Sequence, residues 1–210
     1  LPSRLLYAMG PCLHVRTLAF LTIQEMQLFC FFHQESELSI DPKEDKGALP
    51  VLTYLDLSKN QIGNAGLASF TAALGSGALP NLKMLRLNSN EIGDPGVISL
   101  SEAIGSLAHL THLELRNNNI GDIGFTAFAT AIGSGALPLL TVLRLNSNQI
   151  GDAGITSLAT ALGSGALPLL EELDLYDNNI ADDGVIALAE ALVNGALPSL
   201  STLWLQGNQI

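Results

Sequence analysis

The chain has 210 residues, with 20 acidic and 9 basic side chains and a formal charge of -11. That balance excludes nucleic-acid binding through phosphates, which needs a basic surface to displace counterions, and argues against an electrostatic anchor on anionic lipid. Hydrophobic residues make up 48%, too many for an intrinsically disordered chain, and the two cysteines, Cys12 and Cys30, are too few for a disulfide scaffold.

Residues 1–46 follow no repeat. Leu18 to Phe32 is apolar but interrupted by Gln24, Glu25 and Gln27, which makes it a poor membrane span. No cleavage pattern of a signal peptide accompanies it. The segment reads as a terminal cap, which a repeat array needs over its first core layer, followed by a polar linker from Gln34 to Lys46.

From residue 47 the chain is periodic. Leu-x-Leu pairs fall at Leu55/Leu57, Leu85/Leu87, Leu113/Leu115, Leu143/Leu145, Leu173/Leu175 and Leu203/Leu205, spaced 30, 28, 30, 30 and 30 residues apart. The short step comes where Ser106 to Leu110 lacks two residues of the Ser-Gly-Ala-Leu-Pro-x-Leu junction. Five full units and a terminal half unit fill 47–210. The last unit stops at Ile210, after a strand and before its helix, as in a piece of a longer protein.

Each unit holds two elements. Alternation around the leucine pair has period 2, the signature of a short strand with one buried face. After Ile-Gly-Asp-x-Gly the apolar residues recur at i, i+3, i+4 and i+7, as at Ile155, Leu158, Ala159 and Leu162, which is one helical face. Asn64, Asp94, Asp122, Asp152 and Asp182 stand where each helix should be N-capped by its own side chain. Gly75, Gly105, Gly133 and Gly163 stand where a left-handed C-cap is expected.

The motif Leu-x-x-Leu-x-Leu-x-x-Asn-x-Ile-Gly-Asp-x-Gly, repeated over about four-fifths of the chain, resembles the leucine-rich repeat in its ribonuclease-inhibitor-like subclass. The resemblance implies an α/β solenoid: a curved right-handed βα array with parallel strands on the concave face and helices on the convex face. Elementary packing implies the same curve. Parallel strands stack at about 4.8 Å while helices need about 8–10 Å, so each repeat turns by about 25°.

Asn60, Asn90, Asn118, Asn148, Asn178 and Asn208 recur where the chain leaves each strand. We read them as structural: their amides satisfy loop backbone groups that neither sheet nor helix reaches. The residues between the leucines face the concave side. Their central column runs Asp56, Arg86, Glu114, Arg144, Asp174 and Trp204, with signs alternating over the first five, as in a ladder of cross-strand ion pairs. Tyr, Trp and Arg are enriched at interface hot spots, so Arg116, Arg144, Glu172, Asp174, Tyr176, Asp177 and Trp204 form the candidate partner-binding set. An ordinary solvated face, with Trp204 covering the neighbouring strand, fits the same residues.

Other chemistries find little support. Glu172 and Asp174 lie about 7 Å apart on one strand face, too far to chelate one ion without loop oxygens, so no metal is expected. The Gly-Ser-Gly-Ala-Leu-Pro turns lack the Gly-Lys-Ser/Thr ending of a phosphate loop, so no nucleotide cofactor is expected. His112 and Glu172 are two strands apart, about 10 Å, beyond hydrogen-bond reach. The chain reads as a non-enzyme.

The function expected is a protein–protein interaction scaffold or recognition module whose partner is another protein. Two alternatives stand beside it: a GTPase-activating regulator similar to the Ran GTPase-activating protein, and a purely structural scaffold piece. Six strands offer about 24 Å of concave length and about 500 Å² of face, less than the roughly 800 Å² per partner of a standard interface. Repeats free of cysteine and of Asn-x-Ser/Thr sequons point to cytoplasm or nucleus.

Overall fold

The computed structural model describes residue 49 and residues 51–210. The expected cap and linker in residues 1–46, the stretch from Leu18 to Phe32 and both cysteines lie outside the described residues.

Strands and helices alternate along the chain. The order is β1 (Tyr54–Asp56), α1 (Asn64–Gly75), β2 (Met84–Arg86), α2 (Asp94–Ala103), β3 (His112–Glu114), α3 (Asp122–Gly133), β4 (Val142–Arg144), α4 (Asp152–Gly163), β5 (Glu172–Asp174), α5 (Asp182–Val193) and β6 (Thr202–Trp204). The six strands form one parallel sheet in sequence order. Their register aligns Leu55, Leu85, Leu113, Leu143, Leu173 and Leu203 across the sheet. An almost constant repeat length makes this possible, since every equivalent residue arrives at an equivalent place.

Strands of three residues contribute few ladder bonds, so the layer between sheet and helices carries the stability. Leu85, Leu113 and Leu143 on the strands are fully buried, as are Ile92, Ile120 and Ile150 at the following turns. From the helices come Leu67, Val97, Phe125 and Ile155, then Phe70, Leu100, Phe128 and Leu158. Each such side chain contributes about 1.5–3 kcal/mol by leaving water. Phe125 and Phe128 stack at 6.0 Å between ring centroids, filling α3 where α2 and α4 use the aliphatic pairs Val97/Leu100 and Ile155/Leu158.

The short repeat has a local cause. After α1, α3, α4 and α5 the chain turns through a glycine with positive φ: Gly77, Gly135, Gly165 and Gly195. After α2 it instead tightens into a 3₁₀ turn at Ile104–Ser106, which uses two residues fewer. Leu107 still reaches the buried site occupied by Leu79, Leu137, Leu167 and Leu197 elsewhere.

Two expected caps move. The left-handed glycine is not Gly75, Gly133 or Gly163, which close their helices without positive φ, but the next glycine of Gly-Ser-Gly. Gly77 donates to the Leu74 carbonyl at 2.9 Å and Ala78 to the Ala73 carbonyl at 3.3 Å, the paired bonds of a Schellman ending. The N-cap correction reaches further. Each helix is preceded by Gly63, Gly93, Gly121, Gly151 or Ala181, and none receives a side-chain cap bond from that residue.

The Asn or Asp one residue later caps the helix of the next repeat instead. Asn64 Oδ1 accepts the N–H of Gly93 at 2.8 Å and of Gly96 at 3.1 Å. Asp94 Oδ1 accepts Gly121 at 2.7 Å. Asp122 Oδ1 accepts Gly151 at 2.7 Å and Gly154 at 2.9 Å, and Asp152 Oδ1 accepts Ala181 at 2.8 Å and Gly184 at 3.0 Å. This explains the last glycine of Gly-Asp-x-Gly. A Cβ at Gly96, Gly154 or Gly184 would stand 2.8, 2.8 or 2.6 Å from the capping oxygen.

Candidate functional site

The concave face is built on three columns of side chains held by the sheet register. The central column sets Asp56, Arg86, Glu114, Arg144, Asp174 and Trp204 side by side. One flanking column runs Tyr54, Met84, His112, Val142, Glu172 and Thr202, and the other, just past the strands, runs Ser58, Asn88, Arg116, Asn146, Tyr176 and Gln206.

Glu114 is the centre of the charge network. It is only 1% exposed, yet both of its oxygens are hydrogen-bonded. Its Oε1 takes Arg86 Nε at 3.3 Å and Arg144 Nη1 at 3.2 Å, and its Oε2 takes Asn88 Nδ2 at 2.7 Å. A carboxylate this deep is tolerable because two guanidiniums and an amide surround it. Asn88, which is outside the candidate set, completes the surroundings: its Oδ1 accepts the Arg116 backbone N–H at 3.1 Å. The signal for it was a polar residue beside a strand on a face otherwise patterned by charge.

The ladder does not run straight. Arg86 pairs with Glu114 and lies 3.7 Å from Asp56, as opposite neighbours should. Arg144, however, turns from its opposite neighbour Asp174 to Glu172, with Nε–Oε1 at 2.8 Å and Nη2–Oε2 at 3.2 Å. The expected Arg144–Asp174 rung is therefore replaced by a two-point pair on the diagonal. Geometry favours this, since the planar guanidinium meets both oxygens of the longer glutamate. Hydrogen bonds to Glu172, ahead of the opposing burial, raise the Arg144 pKa above its ordinary value.

The two ends of the face differ. At the first, Arg86 lies over the Tyr54 ring at 5.3 Å and donates to its hydroxyl at 2.7 Å. Burial there pulls the Asp56 pKa up, but hydrogen bonds from Ser58 outweigh it, helped by the Tyr54 hydroxyl and the Arg86 charge, and the carboxyl sits below its ordinary value. At the other end Asp174 makes no ion pair among the described residues, and its carboxylate accepts the Tyr176 N–H at 3.0 Å. Burial pushes its pKa up and, with the neighbouring Glu172 charge, outweighs the lowering by the Tyr176 N–H bond and by the Arg144 and Arg116 charges.

The remaining candidates fall into place around Asp174. Tyr176 and Trp204 are each 45% exposed. Asp177 has φ 55 and belongs to the turn, at the position of Lys59, Ser89, Asn117 and Ser147 in other repeats. The Arg116 side chain is exposed and forms no ion pair among the described residues. So Asp174, Tyr176 and Trp204 share one open patch, while Arg144 and Glu172 hold each other beside it.

The asparagine ladder ties each repeat to the one before. Asn118 Nδ2 donates to Leu115 at 2.9 Å and across to Leu87 at 3.0 Å, and its Oδ1 accepts the Ile92 N–H at 3.1 Å. Asn90, Asn148, Asn178 and Asn208 repeat the pattern. Asn60 bonds to Leu57 at 2.9 Å within its own turn. Among the described residues no three His, Cys, Asp or Glu side chains are grouped to hold a metal ion, and no helix is long and apolar enough to cross a membrane.

A family model described as leucine-rich repeat matches residues 48–70, 78–101, 106–129, 136–159 and 166–189, more than half of the chain. No curated protein matches it. Similar solved structures include an internalin (inlF) from Listeria monocytogenes strain 4b F2365, 27% identical with a TM-score of 0.47 over 76% of this chain and 43% of that one. The PEPR1–AtPEP1 structure is 28% identical with a TM-score of 0.47, over 75% of this chain and 18% of that one. The plant peptide hormone receptor RGFR1 in complex with RGF2 is 18% identical with a TM-score of 0.44, over 76% and 21%. This chain spans less than half the length of each.

Proposed function

The chain belongs to the leucine-rich-repeat family, and we propose that it works as a recognition module that receives another protein on its concave strand face. One observation carries the reading. Of the charges in the central column Asp174 alone forms no ion pair among the described residues, and Tyr176 and Trp204 stand open beside it. Large aromatics next to a desolvated charge are the side chains that concentrate binding energy in interfaces. Spacings of 28 to 30 residues and helices of 10 to 12 residues favour the ribonuclease-inhibitor-like subclass within the family. A binding role also fits the chemistry available, since the concave face offers exposed aromatic and charged contact groups.

A photo-crosslinking side chain placed at Tyr176, and in parallel at Thr156 on helix α4, tests this. Crosslinking of a defined protein from Tyr176 alone is the expected result. The purified partner should then lose about tenfold or more in affinity when Tyr176 and Trp204 are both changed to Ala. Unchanged affinity in that double variant would remove the concave face as the binding surface.

A further inference from the structure

Two carboxylate–aromatic sites occupy the concave face, and only one of them has a cation within ion-pair distance; Arg144 and Arg116 act on Asp174 from farther off. In the first, Arg86 stacks on Tyr54 at 5.3 Å, bonds its hydroxyl at 2.7 Å and stands 3.7 Å from Asp56. In the second, Asp174 is flanked by Arg144 on β4 and Trp204 on β6. Arg144 has its Nε, Nη1 and Nη2 committed to Glu172 and Glu114, and an indole brings no charge. Both neighbouring strands are present, so the gap in the ladder is a property of this site.

A second unmet acceptor lies alongside. In the repeat of Asn88, the amide oxygen takes the backbone N–H of Arg116, just past the next strand. The equivalent N–H for Asn146 is that of Tyr176, which donates to Asp174 instead. Asn146 Oδ1 is thereby buried with no donor. That oxygen is shut from solvent, as is the unpartnered Ser58 Oγ near the first site. It marks where the Tyr176 N–H has been diverted to Asp174 and is not itself a contact for a partner.

Resting on the reading of this face as a protein-binding surface, we propose that the Asp174–Tyr176–Trp204 site takes an arginine side chain of the partner. Its guanidinium stacks on the exposed indole and donates to Asp174. It thus repeats between proteins what Arg86, Tyr54 and Asp56 do within this one. Arginine suits the site better than lysine because it is planar, weakly hydrated and carries several donors in one fork. The net charge of -11 favours the approach of such a cationic partner.

Trp204 is the sole tryptophan, so its indole N–H resonance reports on the site alone. The full chain titrated with the peptide acetyl-Gly-Arg-Gly-amide should show a saturable shift of that resonance. Replacing the arginine by citrulline, or changing Asp174→Asn, should weaken the response about tenfold or more. No saturable shift, or the same response to citrulline and in D174N, overturns the arginine site. A displayed library of short random peptides separates that outcome from failure of the face itself. Selected binders lost with Tyr176→Ala and Trp204→Ala, rich in arginine and weakened by D174N, support the proposal. Binders lost with the aromatic changes but free of arginine and indifferent to D174N overturn the arginine site and leave the binding face standing. Binders insensitive to every concave substitution overturn both.

Discussion

Arg144 and Glu172 meet in a two-point ion pair, at 2.8 and 3.2 Å, although the sheet register sets Arg144 opposite Asp174 and Glu172 opposite Val142. The diagonal leaves one carboxylate of the column without an ion pair, and with it the asymmetry between the two ends of the face. Both partners are about a third exposed or less, so their coupling should exceed that of a surface pair. A double-mutant cycle on Arg144→Gln and Glu172→Gln, read by urea denaturation, should return about 1 kcal/mol, and less at high salt. A coupling near zero would mean that the pair is incidental.

Asp174 predicts a pH effect of definite sign. Its pKa is raised on folding, chiefly by burial, so the folded chain holds the proton more tightly than the unfolded one. Ionisation therefore lowers stability as pH climbs from the ordinary aspartate value of 3.8 through the raised value, and the loss persists above it. Asp174→Asn keeps an acceptor for the Tyr176 N–H and removes that loss. Thermal melts should show the variant more stable than the parent at pH 7, with the difference closing below 3.8. A variant less stable at pH 7 would show that Asp174 has a stabilising partner after all.

Glycine positions that look alike in sequence should behave in opposite ways. A Cβ at Gly154 would stand 2.8 Å from Asp122 Oδ1 and 3.0 Å from the Phe125 ring, displacing the bond that caps α4. Gly154→Ala should cost about 1–3 kcal/mol. At Gly163, which ends the same helix, nothing lies within 4 Å and φ is not positive. Gly163→Ala should be neutral or stabilise by up to about 1 kcal/mol. Equilibrium unfolding of the two variants decides between a steric role and a purely conformational one for the glycine of Gly-Asp-x-Gly.

Asn148 links two repeats through Leu115, Leu145 and the Ile120 amide. Asn148→Ala removes donor and acceptor together and orphans buried backbone groups on both sides. The expected loss is about 1–3 kcal/mol for each group left unpaired, with hydrogen exchange at the Ile120 amide accelerated before any global change. Unaltered protection at Ile120 would contradict the role assigned to the side chain.

Periodicity made most of this architecture legible. When every unit has nearly one length and strands pair in register, a residue's place in its repeat fixes its column, so the core leucines, the asparagines and the concave columns follow from spacing. Two kinds of feature did not follow. The Arg144–Glu172 diagonal depends on the reach of a long side chain across strands, which register alone does not specify. The caps depend on single-residue offsets and on which repeat a side chain leans toward. In Gly-Ser-Gly either glycine suits a helix end, and only the second adopts positive φ. Asp122 carries every local mark of capping its own helix, yet stacking brings its oxygen within 2.7 Å of Gly151 one repeat later.

These polar bonds also have a direction. Asn64, Asp94, Asp122 and Asp152 reach forward to the next helix, and the strand-end asparagines from Asn90 onward reach back to the preceding turn. The first four junctions are thus stitched from both sides by groups that a lone repeat leaves unsatisfied. Favourable energy is thereby moved out of the individual repeat and into the contact between neighbours. A linear lattice with weak sites and strong nearest-neighbour coupling melts as long cooperative blocks, not unit by unit. A lesion at one junction is then felt as a domain wall across the array, and the concave face keeps its curvature only while the blocks on either side stay joined.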